Sequence, residues 1–128
     1  MREFLFRGKT KLDNEWIVGA GIYKSEGHTW IIIDDATKTE NRGTGSYAII
    51  PETSGQFTGL TDKNGTKIFE GDIVKWVINY TVAFMRTGYV LKKDMNPKMY
   101  DYSLMAFDGT ELEVIGNIHD NSELLEGE

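Results

Sequence analysis

Acids are the residues best placed to do chemistry in this chain, and two pairs stand out. Asp34-Asp35 are adjacent, and Glu70 and Asp72 are separated by one glycine. Two carboxylates facing one substrate could divide general acid and general base work between them. Neighbouring strand residues point to opposite faces, which argues against Asp34-Asp35 as a dyad. Glu70 and Asp72 could share a face, yet each also suits a turn, where a carboxylate accepts local backbone N–H groups. The two histidines, His28 and His119, lie far apart, and no HxH or HExxH spacing is present to hold a metal. His119-Asp120 is a lone dipeptide. Thr58 has no base or orienting group beside it in sequence, as a nucleophile would need. There is no cysteine, which excludes a disulfide framework, a thiolate nucleophile and cysteine-ligated zinc or iron–sulfur. No glycine-rich phosphate loop sits between a strand and a helix. The expectation is a protein without a catalytic, cofactor or metal site.

A second kind of chemistry is recognition. Tyr89, Lys92, Lys93, Lys98, Tyr100 and Tyr102 mix aromatic rings with cations, the pairing small β-barrels use to bind single strands. Arg2, Arg7, Lys9 and Lys11 form another basic group. Against nucleic acid stands the net charge of −6, which repels phosphate at long range. The tyrosines also suit half-buried strand positions, and the lysines suit the guarding of a sheet edge. Phe84, Met85, Tyr89, Met95, Met99, Tyr100, Tyr102 and Met105 are adaptable and amphipathic types found at protein interfaces, so self-association through this stretch is a parallel expectation. The surface expected to carry interaction is therefore Tyr89, Lys92, Lys93, Met99, Tyr100 and Tyr102.

The elements that would position these groups are strands. At 128 residues the chain suits one domain, and 14 glycines against two prolines fit many tight turns. Trp16, Val18, Ala20 and Ile22 alternate on one face of a strand, with Gly19 and Gly21 on the other. Thr29–Ile33 and Tyr47–Ile50 are β-branched and aromatic runs, and 36–45 reads as a loop. Val74, Trp76, Ile78, Tyr80, Val82 and Phe84 alternate over one long stretch, predicting a single central strand from Ile73 to Phe84 with Trp76 buried. Turns at Thr87-Gly88, Asn96-Pro97 and Asp108-Gly109 lead to strands over 89–92, near 100–107, and 111–118. Asn121 is the expected N-cap of one helical turn at Ser122–Leu125. No stretch is apolar enough for a membrane-spanning helix, and the first residues do not have the form of a signal peptide, so a cytoplasmic location is expected.

Between these halves runs Gln56-Phe57-Thr58-Gly59-Leu60-Thr61-Asp62-Lys63-Asn64-Gly65-Thr66-Lys67-Ile68-Phe69-Glu70-Gly71-Asp72-Ile73-Val74. Asn64-Gly65 fits a hairpin turn with positive φ at both residues, anchored by Leu60 and by Ile68-Phe69. Gly71 and Asp72 would re-aim the chain into the next strand. This run resembles the signature of the YopX family of phage and prophage proteins. Arg2, Phe4–Lys9, Trp16–Gly19, Glu113–Ile118 and Asn121–Leu125 resemble that family's opening, first tryptophan strand and close. The family often has proline where this chain has Ser122. The stretch 85–108 carries no resemblance. The family is tied to no reaction or cofactor, so Gln56, Phe57, Gly59, Asp62, Gly65, Gly71 and Asp72 are expected to be structural.

The resemblance and the pattern together imply one all-β domain over 1–128 with minimal helix. Its parts would be an N-terminal β segment over about 1–50, a turn-rich signature over 51–75, and a small SH3-like barrel over about 67–118 packed with the N-terminal sheet. The implied role is a non-enzymatic phage accessory protein in the bacterial cytoplasm that binds protein, itself included, in a homo-oligomer. The alternative is a weak nucleic-acid-binding barrel.

Overall fold

The computed structural model describes residues 3–86, 88–93, 101–104 and 111–125. Strands dominate, and the helical pieces among these residues are 3-10 turns at Pro51–Thr53 and Ser122–Leu125. The all-β expectation holds. Two compact units divide the chain, 1–57 and 58–128, so the division falls inside the signature.

The first unit holds β1 (Phe6–Lys9), β2 (Trp16–Gly19), β3 (Gly21–Ser25), β4 (His28–Ile33) and β5 (Gly45–Ile49). Strands β1 and β2 form an antiparallel hairpin, while β3, β4 and β5 form a three-stranded antiparallel sheet. Their shared core is Ile17, Ile31, Ile33 and Ile49, with Phe6, Ile22 and Tyr47 packed on it. Each fully buried aliphatic side chain contributes roughly 1.5–3 kcal/mol.

Close approach is made by glycine. A Cβ on Gly8 would stand 2.5 Å from Ile49 Cδ1, and one on Gly19 would stand 2.3 Å from the Ile32 carbonyl oxygen. This corrects the sequence reading of 16–22. The buried side of β2 is Ile17 and Gly19, and Trp16 and Val18 turn outward. The run also breaks at Ala20, whose N–H donates to Ile32 O at 2.8 Å, and the phase shifts so that Ile22 returns to the core. A glycine pressed against backbone marks an inward position that an apolar count overlooks.

Strand β6 (Gly55–Thr61) begins beside β1, with Phe6 opposite Gln56 and Arg7 opposite Gly55. Past the division, the end of β6 lies beside β7 (Lys67–Phe69). The second unit's main sheet contains β8 (Asp72–Trp76), β9 (Ile78–Met85), β10 (Gly88–Lys92), β11 (Tyr102–Ser103) and β12 (Glu113–Asn117), in the order β11-β10-β9-β8-β12. Its strands pair antiparallel, and among the described residues no pairing joins β11 to β12. β7, expected in the barrel, pairs with β6. Ile68, Val74, Tyr80, Val82, Tyr89, Leu91, Leu104 and Leu112 form this unit's core.

The long central strand is a hairpin. β8 and β9 fold back on each other about Val77, pairing Trp76 with Ile78, Lys75 with Asn79 and Val74 with Tyr80. Val77 takes φ 67 and is 82% exposed. Trp76 is half-buried, not enclosed, and meets the Tyr102 ring edge-on at 5.3 Å between centroids. Phe84, expected on the apolar face, is 61% exposed. The strand near 100–107 is described only at 102–103, and the Asp108-Gly109 turn lies outside the described residues. Asn121 precedes the turn as expected, and its backbone carbonyl accepts from Leu124 N at 2.9 Å. Its Oδ1 accepts from Asn117 N at 3.1 Å, pressed so close to Gly116 that a Cβ there would stand 2.5 Å away.

Candidate functional site

Of the acids considered for catalysis, Asp34 and Asp72 are held by local backbone. Asp34 Oδ1 accepts from Ala36 N at 3.1 Å, Thr37 N at 3.0 Å and Thr37 Oγ1 at 2.9 Å, closing the loop after β4. Asp35 pairs instead with Lys38 at 3.5 Å on the surface. Asp72, buried, accepts from Phe69 N at 2.7 Å across the turn at Glu70-Gly71, where Gly71 takes φ 94. Thr58 Oγ1 donates to Ile68 O at 2.8 Å, tying β6 to β7. His28 is exposed beside Lys11, and His119 is exposed with its N–H on Asn117 Oδ1. Among the described residues, no cluster of three or more His, Asp or Glu could hold a metal.

Asp62 is the most heavily used of the signature acids. Only 5% exposed, it accepts from Asn64 N, Thr66 N and Val114 N at 2.8–2.9 Å. Burial would raise its pKa, but the three N–H donors and then Lys63 outweigh that, and the pKa lies below the ordinary value. The turn differs from expectation. Gly65 N donates to Asp62 O at 3.0 Å and Gly65 takes φ 82, while Asn64 stays out of the positive-φ region. A type I turn with a glycine bulge does the work expected of a two-residue turn. Gln56 and Phe57 belong to β6, with Phe57 buried and its N–H on Leu5 O at 2.9 Å, and Gly59 takes φ 92.

Of the expected interaction surface, Tyr89, Lys92, Lys93 and Tyr102 fall among the described residues. Tyr89 is a core residue, packed edge-on against Phe84 at 4.9 Å, on a strand that lies between β9 and β11. Tyr102 is partly exposed, but its ring meets Trp76 and Tyr80 edge-on. Lys92 is half-buried and Lys93 is exposed, with its N–H on Asp101 Oδ2 at 2.6 Å. Lys98, Met99 and Tyr100 lie outside the described residues, as do Met95 and Met105. Of the other basic group, Arg7 and Lys9 lie over the Trp16 ring, 4.8 Å and 5.7 Å from its centroid.

A different surface emerges in the first unit. Register places Tyr23 opposite Trp30 and Trp30 opposite Ala48, with Gly21, Ile32 and Ser46 aligned beside them and Ser25 opposite His28. Directly opposed residues share a face, so this is the outer side of β3-β4-β5. None of these eight residues is acidic. Tyr23 and Ile32 are exposed large residues, and the Tyr23 and Trp30 rings stack 15° from parallel at 6.3 Å. Trp30 Nε1 donates to Ser25 O at 3.2 Å, and Tyr23 OH donates to Ser46 Oγ at 3.1 Å, so both rings are fixed. Lys11 Nζ reaches His28 Nδ1 at 2.9 Å at one end.

Along β5 this face runs into a concavity of about 470 Å³ that shares Ser46 and Ala48 with it and adds Lys11, Leu12, Arg42 and Tyr47. Lys11 N donates to Ala48 O at 3.0 Å, which fixes that wall to the strand edge. Leu12 stands 92% exposed on the rim. Arg42 bonds Asp13 Oδ2 at 2.6 Å and lies 5.6 Å from the Tyr47 ring centroid. Asp13 also accepts from the Thr10 hydroxyl, and that bond foremost, then Arg42, lowers its pKa. Sequence reasoning missed this surface because its residues look like ordinary strand residues. Only the register shows that all the exposed ones lack a carboxylate.

Comparison with known proteins agrees with the arrangement. The crystal structure of protein EF1440 from Enterococcus faecalis is similar with a TM-score of 0.53 and 23% identity, over 98% of this chain and 100% of that one. At that identity the likeness shows the fold. No curated protein matches. The family model described as YopX protein matches residues 5–126, and with the signature turn and its buried Asp62 in place, the chain belongs to the YopX family.

Proposed function

We propose that this protein is a non-enzymatic accessory protein of phage or prophage origin, acting in the bacterial cytoplasm by binding another protein. The observation that supports this best is the outer face of β3-β4-β5. It is regular, rigid, partly apolar and free of carboxylate on a chain of net charge −6. A solvated sheet face ordinarily alternates toward charged residues. Here Tyr23, Trp30 and Ile32 occupy it, and aromatic residues with few charges are what the centres of protein interfaces carry. Asp34 and Asp72, two of the acids that could serve catalysis, are instead occupied in turns, which favours binding over turnover.

Co-purification from infected cells, comparing the natural chain with Ile32→Asp, tests the reading. A protein recovered in stoichiometric amount with the natural chain and lost with Ile32→Asp, at unchanged melting temperature, is the expected result. Equal recovery with both chains, or nucleic acid as the sole companion, contradicts it.

A further inference from the structure

We infer that the concavity along β5 and the adjoining sheet face form a docking site for an acidic polypeptide segment carrying an apolar side chain. This rests on the protein-binding reading above and names the partner's chemistry. The concavity is lined by the small residues Ser46 and Ala48, by the apolar parts of Leu12 and Tyr47, and by Thr10, Lys11 and Arg42. A pocket of that make-up takes an aliphatic or aromatic side chain and holds a carboxylate at its mouth. Lys11 offers donors beyond the one directed at His28, because an ammonium group has three. The nearby acid, Asp13, faces Arg42 and Thr10, and so is turned to internal bonds.

Charge favours this partner. Residues 1–57 hold seven Lys and Arg against eight Asp and Glu, whereas 58–128 hold seven against twelve. Twelve of the twenty acids lie in 58–128, and the face itself holds none. An approaching acidic segment meets Lys11 and Arg42, and the carboxylate beside them, Asp13, is already bonded to Arg42 and Thr10. Nucleic acid fits less well. A phosphate backbone is tracked by successive cations, and this site offers two, one of them already paired.

Selection from a displayed random dodecapeptide library on the full chain tests the site. The expected outcome is an enriched consensus combining Asp or Glu with Leu, Ile or Phe. A synthetic peptide of that consensus should bind at least tenfold more weakly to Lys11→Glu and to Ser46→Arg, and equally well to Lys24→Glu, all at unchanged melting temperature. Lys24 lies on the opposite side of β3 and serves as the control. A neutral or basic consensus lost with Ile32→Asp but kept with Lys11→Glu overturns the acidic partner while leaving protein binding intact. No enrichment at all overturns both. Saturable binding of a dT20 oligonucleotide that Lys11→Glu abolishes would assign the face to nucleic acid instead. A mass that grows with concentration and falls to monomer in Lys11→Glu would assign it to a second copy.

Discussion

Two hairpin turns in the second unit solve the same problem with opposite means. The turn at Asp62–Thr66 gives its glycine the positive φ, and a buried carboxylate accepts from three backbone N–H groups, one of them on β12. At the turn between β8 and β9, a β-branched valine takes φ 67 and stands exposed. A valine there is a conformational outlier, because its branched side chain crowds the backbone in the left-handed region. The first turn is specified by its own residues. The second is imposed by the strands on either side, whose pairing places Val74 against Tyr80 and buries both.

The largest expected effect breaks the first turn. Asp62→Ala leaves three backbone donors without their acceptor, two of them within the hairpin and one on β12. A buried donor left unsatisfied costs about 1–3 kcal/mol, so a loss of roughly 3–5 kcal/mol is expected in urea unfolding. A loss under about 1 kcal/mol would mean the carboxylate is dispensable. The same residue sets a pH dependence. A lowered folded pKa means that Asp62 contributes stability above its unfolded value, about 3.9, and that this is lost as pH falls through the lower folded value. Asp62→Asn should flatten the acid limb of the stability curve below about pH 4.

Gly65→Val comes next, forcing on the first turn the strain the second already bears. Left-handed strain of this kind costs on the order of 1–3 kcal/mol, and the melting temperature should fall accordingly. The reverse exchange is the smallest effect. Val77→Gly relieves about 1–2 kcal/mol of left-handed cost and gives some back through the freedom of glycine in the unfolded chain. A net gain of about 0.5–1 kcal/mol is expected, and a loss would show that Val77 is held by contacts that outweigh its strain.

The same contrast explains what could be read in advance. Asp62, Asn64 and Gly65 are turn residues by type, so the first hairpin is visible in sequence. Val77 is a strand residue by type, and symmetric pairing about it keeps even-numbered residues on one face through the reversal. Val74, Trp76, Ile78, Tyr80 and Val82 therefore alternate without a break, and a folded-back pair of strands has the same signature as one long strand. The first unit's buried face was obscured differently, because Gly8 and Gly19 occupy inward positions without an apolar side chain to mark them. Of the surface expected to bind, Tyr89 proved central to its sheet, which a period-two pattern cannot distinguish from an edge. The outer face of β3-β4-β5 depends on which residues of three separate strands stand opposite one another, and that is a matter of register.

Two exposed apolar regions thus compete for the role of binding surface. One is the flat face of Tyr23, Trp30 and Ile32, and the other is the convex tip at Val77 with Phe84 further along β9. Amide chemical-shift mapping of the ¹⁵N-labelled chain, titrated with the peptide selected on it, compares them in one experiment. Saturable shifts are expected at Tyr23, Trp30, Ile32, Ser46 and Ala48, with Trp76, Val77 and Phe84 unmoved. Shifts centred on Trp76, Val77 and Phe84, with the face of the three-stranded sheet unchanged, would contradict binding at that face.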